Sequence, residues 1–137
     1  MVILFDYTKT QENVHSIIFS TKQQELVSRL LISRIKDNQG TLSRTEMSVF
    51  ANNLHDGAVI AEVRKENELQ SVKISYNKKQ FYDRILNPMK TMGLVEYDSG
   101  KRVYRLSEKF HTAMTQIGKL WLDTVRNQEE QPIKILA

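Results

Sequence analysis

Residues 75–110 read SYNKKQFYDRILNPMKTMGLVEYDSGKRVYRLSEKF, and the stretch changes period halfway. Its first half places Phe81, Tyr82, Ile85, Leu86, Met89 and Met92 at helical spacing. On a wheel of 100° per residue these six fall within about 140°, the stripe of a helix that buries one side. Asn77 followed three residues later by Gln80 is a start signal, and Gly93 is a stop. Pro88 lacks the N–H that a helix interior needs, so a kink or break is expected near Asn87. The second half alternates. LVEY (94–97) and RVYRL (102–106) flank Asp98, Ser99, Gly100 and Lys101, the pattern of a β-hairpin. A helix over about 77–91 therefore runs straight into a hairpin over about 94–106.

Both halves are basic. The chain has 137 residues and a formal net charge of +4. Between 71 and 109 lie Lys73, Lys78, Lys79, Arg84, Lys90, Lys101, Arg102, Arg105 and Lys109, opposed only by Asp83, Glu96, Asp98 and Glu108. The segment is thus +5 and the rest of the chain −1. A local excess of this kind is an electrostatic footprint for a polyanion, although a solvated surface carries the same residues.

Outward from this segment, the length fits one domain with a single core. Hydrophobic residues make up 40% and charged residues 26%, as in soluble globular proteins. Residues 1–7 (MVILFDY) and 14–20 (VHSIIFS) are β-prone and are expected to pair as an N-terminal hairpin. Thr21 and Gln24 form a capping-box pattern ahead of a helix over about 22–38, with Leu26, Val27, Leu30, Leu31 and Ile35 inward and Gly40 as its stop. Ser43 and Glu46 open a second helix over about 44–54, with Met47, Phe50, Ala51 and Leu54 inward. A turn at Asp56-Gly57 follows. Residues 58–76 read either as a hairpin across 66–68 or as continued helix, with the alternation Val72, Ile74, Tyr76 favouring the hairpin. After Ser107, Phe110, Met114, Ile117 and Trp121 recur at spacings of four, three and four in a closing helix that ends near Asn127. Residues 128–137, with Pro132, read as a flexible tail.

The run FYDRILNPMKTMGLVEYDSGKRVYRLSEKF (81–110) resembles the recognition helix and wing of winged helix-turn-helix DNA-binding proteins of archaeal and bacterial type. The residues that carry the likeness are Gly93-Leu94-Val95, the charged hairpin at 98–102, and Tyr104-Arg105-Leu106-Ser107 at its exit. The likeness covers about 21–110. It implies an α+β fold with a three-helix core and a β-hairpin wing. This chain adds an N-terminal β segment (1–20), the remainder of a C-terminal helix (111–127) and the tail. It departs from the pattern between the second and third helices, where that fold has a turn of a few residues.

In such a fold the 77–91 helix enters the major groove, about 12 Å wide. Its outer side carries Lys79, Gln80, Asp83, Arg84, Asn87 and Lys90. Gln and Asn pair with adenine and Arg with guanine, so Gln80, Arg84 and Asn87 are the candidate base contacts. Asn77, Lys78 and Lys79 at the helix start are assigned to phosphate. Lys101 and Arg102, at the hairpin tip, would reach adjacent backbone. The resemblance places Arg44 and Thr45, which open the second helix, as positioning contacts that set register. Tyr82, Tyr97 and Tyr104 could stack on unpaired bases, but the spacing of Tyr82 and Tyr104 turns them toward the core. Phe110, Met114, Ile117 and Trp121 either cover the domain or pack against a twin in a dimer, which would suit a palindromic duplex.

Other chemistries find little purchase. The chain has no cysteine, which excludes disulfides, thiolate metal sites and a thiol nucleophile. His15, His55 and His111 show no metal-ligand spacing, and no phosphate-binding loop or nucleophile elbow appears. No enzyme, metal or cofactor is expected. No apolar run approaches the ~20 residues of a membrane span, so a cytoplasmic, nucleoid-associated location is expected. The resulting expectation is sequence-dependent double-stranded DNA binding in transcriptional regulation. The alternatives are a protein-interaction module on the same scaffold and a binder of a replication origin or viral genome.

Overall fold

The helices begin where local chemistry starts them. The protein is described by a computed structural model covering residues 5–9, 13–127, 135 and 136. Asn13 opens a short helix, α1 (Val14–Ile18), by accepting the Ser16 N–H at 3.0 Å. Thr21 does the same for Gln24 at 3.1 Å, at the head of α2 (Lys22–Asp37). β1 (Thr41–Ser43) leads into α3 (Arg44–His55), which starts with a reciprocal capping box. There the Glu46 N–H donates to Ser43 Oγ at 3.1 Å, and the Ser43 N–H donates to Glu46 Oε1 at 2.9 Å. The Ser43 N–H foremost, with the side chains of Ser43 and Asn38, holds the Glu46 carboxyl below the usual carboxylate range.

The N-terminal expectation is corrected. Residues 1–4 lie outside the described residues, Tyr7 belongs to a short 3-10 turn (Tyr7–Lys9), and 14–18 is helical. The β-prone composition of VHSIIFS yields to the Asn13 cap and to a clamp on α2. Ser28 Oγ donates to the Glu25 carbonyl at 2.8 Å, so it accepts from His15 Nδ1 at 2.7 Å. Ser28 is fully buried. Helical winding sets His15 against it and packs Ile18 and Phe19 on the core.

Residues 58–76 form the hairpin that the alternation favoured. β2 (Val59–Lys65) pairs antiparallel with β3 (Glu68–Ile74), from Val59 opposite Ile74 to Lys65 opposite Glu68. Glu66 and Asn67 both lie in the left-handed region, φ 52° and 66°. That is the two-residue turn whose twist matches the strands. Val59, Val63 and Val72 pack against the core, which Ala61 and Ile74 join, while Ile60 and Leu69 face outward.

The helix over 78–91 runs on without a break, and the disturbance expected near Asn87 takes the form of a change of helix type at that residue. The helix consists of α4 (Lys78–Gln80), a π-helical segment (Phe81–Leu86) and α5 (Asn87–Thr91). In an unbroken α-helix the ring of Pro88 would meet the carbonyl four residues back. The chain widens instead, and the Asn87 N–H donates to the Tyr82 carbonyl five residues back. Pro88 then occupies the first turn of α5, where a missing N–H costs little. Hydrogen bonds five residues apart also bring Phe81 and Leu86 to one side. Phe81, Ile85, Leu86 and Met89 are all buried.

β4 (Val95–Asp98) and β5 (Val103–Leu106) pair as expected, and β1 joins them in a three-stranded antiparallel sheet ordered β1-β5-β4. Tyr104 faces Tyr97 on one side and Leu42 on the other. The core lies between this sheet, α2, α3 and the 78–91 helix, around Val27, Leu31, Ile35, Leu42, Met47, Leu54, Phe81 and Val95. The closing helix, α6 (Lys109–Arg126), is held at its first turn. The Phe110 N–H donates to the Gly93 carbonyl at 3.0 Å. Gly93 sits at φ +82°, and a Cβ there would lie 2.8 Å from Phe110 N and 2.9 Å from Lys109 Cβ. Only glycine allows so close a joint. Past Met114 every residue of α6 is exposed.

Candidate nucleic-acid interface

The 78–91 helix divides its side chains sharply. Opposite the buried four, Lys79, Gln80, Asp83, Arg84, Asn87 and Lys90 are exposed. The side chains of Lys79, Gln80, Arg84 and Asn87 make no hydrogen bond or ion pair with other described residues. Asp83, Arg84 and Pro88 border Ile18, Phe19 and Ser20 across a shallow depression of about 310 Å³. The carboxyl end of α1 therefore lines one flank of this side.

The helix start is less free than its sequence suggests. Asn77 Oδ1 accepts the Gln80 N–H at 3.1 Å. The Lys78 N–H donates to His55 Nδ1 at 3.2 Å, and the Phe81 N–H to the Asn77 carbonyl at 2.8 Å. The backbone donors first assigned to an incoming phosphate are thus largely engaged, and Lys78 is half-buried. Lys79 is the cation left exposed there. His55 carried no sequence signal for its capping role, because it is 23 residues away from Lys78.

At the hairpin, Asp98 Oδ1 accepts the backbone N–H groups of Gly100 and Lys101 at 2.9 and 3.1 Å. This fixes a four-residue turn (99–102) in which Arg102 takes φ 56°. Lys101 and Arg102 are exposed at the tip. Arg105 is not available in the same way. It reaches Glu96 at 2.7 Å and Asp98 at 3.2 Å, while Lys109 reaches Glu96 at 2.8 Å. Hydrogen bonds from Lys109 and then Arg105 hold the Glu96 carboxyl below the usual range. Glu96 and Asp98 thus neutralise two of the segment's cations, Arg105 in the hairpin and Lys109 at the start of the closing helix, and the segment's other acids are Asp83 and Glu108.

Sheet register brings the distant parts together. Ser43 lies opposite Val103, so Arg44 and Thr45, both exposed, emerge at the same end of the sheet as Arg102. Between that end and the 78–91 helix lies an aromatic patch. Tyr97 and Tyr104 are cross-strand partners with ring centroids 4.8 Å apart. Lys90 Nζ stands 6.0 and 5.8 Å from their centroids. Burial pushes the Tyr104 hydroxyl up from its ordinary value, neighbouring Tyr82 adds to this, and Arg44 opposes it. Tyr82 and Tyr104 are half-buried and pack on the core, as their spacing indicated. Periodicity placed Lys90 on the outer side of the helix and left Tyr97 as a possible stacking residue, without joining the two. The hairpin register, which sets Tyr97 beside Tyr104, was the signal that could have found the pair.

Lys90 thus links the exposed side of the 78–91 helix to the tyrosine pair, and Arg44, Thr45, Lys101 and Arg102 are exposed at one end of the sheet that carries the pair. Among the described residues no group of three His, Cys, Asp or Glu side chains is placed to hold a metal ion. Among the same residues no helix is long and apolar enough to cross a membrane. No protein-family model, curated protein or solved structure matches this chain.

Proposed function

We propose that this chain is a winged helix-turn-helix protein that binds double-stranded DNA and regulates transcription. The 78–91 helix lies in the major groove and the β4–β5 hairpin rests on adjacent backbone. The observation that carries this reading is the division of the 78–91 helix, apolar and interred on one side, polar and exposed on the other. The element order α2-β1-α3, then helix and hairpin, and the sheet order β1-β5-β4 support it. Gln80, Arg84 and Asn87 read bases. Lys79, Lys101, Arg102, Arg44 and Thr45 engage phosphate and set register.

A mobility-shift titration tests this. Random duplex is retarded at low salt, and affinity falls with a log–log slope of about −0.9 per phosphate neutralised. On a site selected from random duplex, Arg84→Ala costs about 1–3 kcal/mol and relaxes base preference. Lys101→Ala weakens all sequences alike and lowers the salt slope by about 1. No retardation at low salt, or a selected site bound equally by both variants and the parent, removes the reading. The rival reading, a protein-interaction module on the same scaffold, draws on the uncovered apolar side of α6 and predicts no retardation.

A further inference from the structure

We propose that α6 pairs antiparallel with α6 of a second copy of this chain, independently of any nucleic acid. The reason starts with what α6 lacks. It has 18 residues and none is buried. Ile117, Leu120 and Val125 are more than half exposed and Trp121 is 65% exposed. Helices in proteins draw most of their stability from packing an amphipathic face, and four large apolar side chains along one side of this one need cover.

The stripe has the form that covers itself. Phe110, Ile117 and Thr124 recur every seven residues, as do Met114 and Trp121 between them, the seam of a two-helix coil. Ala113, Gly118, Leu120 and Val125 flank the seam. Every charged residue of the helix, Lys109, Lys119, Asp123 and Arg126, falls outside seam and flanks. Two copies can therefore meet without opposing like charges. A partner of unlike sequence would normally be selected by charges at the flanks, and this helix offers none there.

Orientation follows from the anchor. α6 is fixed to the body at its first turn, at Gly93 and Glu96. A parallel pair, with axes 8–10 Å apart, would force two bodies side by side at one end. An antiparallel pair sets one body at each end and overlaps the bare segment after Met114. In that register Met114 meets Thr124 of the second copy, and Ile117 meets its Trp121. Near the dyad Leu120 meets its own counterpart, and Gly118 lets the axes approach. The side chains involved offer roughly 500 Å² per chain, about 1,000 Å² for the pair, the lower end of a specific interface.

Sedimentation equilibrium at tens of micromolar should give twice the 16.0 kDa chain mass. Ile117→Glu with Trp121→Glu should return the single-chain mass while the body keeps its thermal transition. Cysteine-free background makes orientation readable. On oxidation, Thr124→Cys alone should not link to itself, because in the antiparallel register the two sites lie about 15 Å apart along the axis. Mixed with Met114→Cys chains it should link. A monomeric parent overturns the proposal, whether its own terminal residues or some other protein covers the stripe. Self-linking of Thr124→Cys overturns the antiparallel arrangement.

Discussion

The 78–91 helix and α6 carry apolar stripes of similar width, yet one stripe is interred and the other is bare. Phe81, Ile85, Leu86 and Met89 belong to the core, while Ile117, Leu120, Trp121 and Val125 are more than half exposed and lie outside it. The polar sides differ in the opposite sense. That of the 78–91 helix is cationic and borders an aromatic patch and a cationic turn, whereas that of α6 carries scattered charges of both signs. A hydrophobic pattern thus states that a side must be covered, and only the tertiary surroundings state whether the cover is intramolecular. Where the cover is internal, the opposite side is free to act.

Four substitutions press on this contrast. The largest effect is expected for Phe81→Ala, which removes a fully buried ring that touches Phe50 and Tyr82 edge-on at 5.6 and 5.5 Å. Urea unfolding should show a loss of about 3–5 kcal/mol. Next is Gly93→Ala, which adds a Cβ against the backbone of Phe110 at positive φ. It should cost roughly 2 kcal/mol or more by the same measurement and raise amide exchange across the first turn of α6.

A smaller, pH-dependent effect is expected at His15. Burial, with help from Arg29, pushes its imidazole below the ordinary value of 6.5. The unfolded chain therefore takes up the proton first as pH falls. Stability is fully present above 6.5 and declines as pH drops below it toward the folded-state value. Urea melts from about pH 7.5 to 5 should show this slope, and His15→Gln should flatten it. At lower pH Glu46, Glu96 and Asp98, all held below their ordinary values, add a second decline. The smallest effect is expected for Trp121→Ala. At concentrations too low for α6 to pair it should change stability by less than ~0.5 kcal/mol, although the side chain is larger than that of Phe81. A loss of several kcal/mol there would mean that α6 is covered within one chain.

What the sequence disclosed tracks the range of the forces involved. The starts of α2, α3 and the 78–91 helix were legible because Thr21, Ser43 with Glu46, and Asn77 act on backbone three residues away. The β4–β5 turn was legible because Asp98 binds the next few amides. The helical state of 14–18 was not, since it depends on Ser28 as well as on Asn13. Pro88 announced a disturbance, but its resolution as a wide turn depends on keeping both Phe81 and Leu86 in the core. The exposed residues of the candidate interface were legible from periodicity. The engagement of Lys78 by His55, of Arg105 by Glu96, and of Lys90 by two tyrosines required the third dimension.

The β2–β3 hairpin has a consequence for how this architecture can vary. Its two ends close on each other, with Val59 opposite Ile74 and the Tyr76 N–H donating to the Leu54 carbonyl at 2.9 Å. Such an arm leaves and returns at one doorway. Beyond Val63 and Val72, which pack on the core, its tip can lengthen without shifting the angle between the helices it interrupts, and each doubling of a flexible loop at that tip adds only about 0.6 kcal/mol of closure entropy. The long spacing in the linear chain therefore leaves the joint between α3 and the 78–91 helix unstretched.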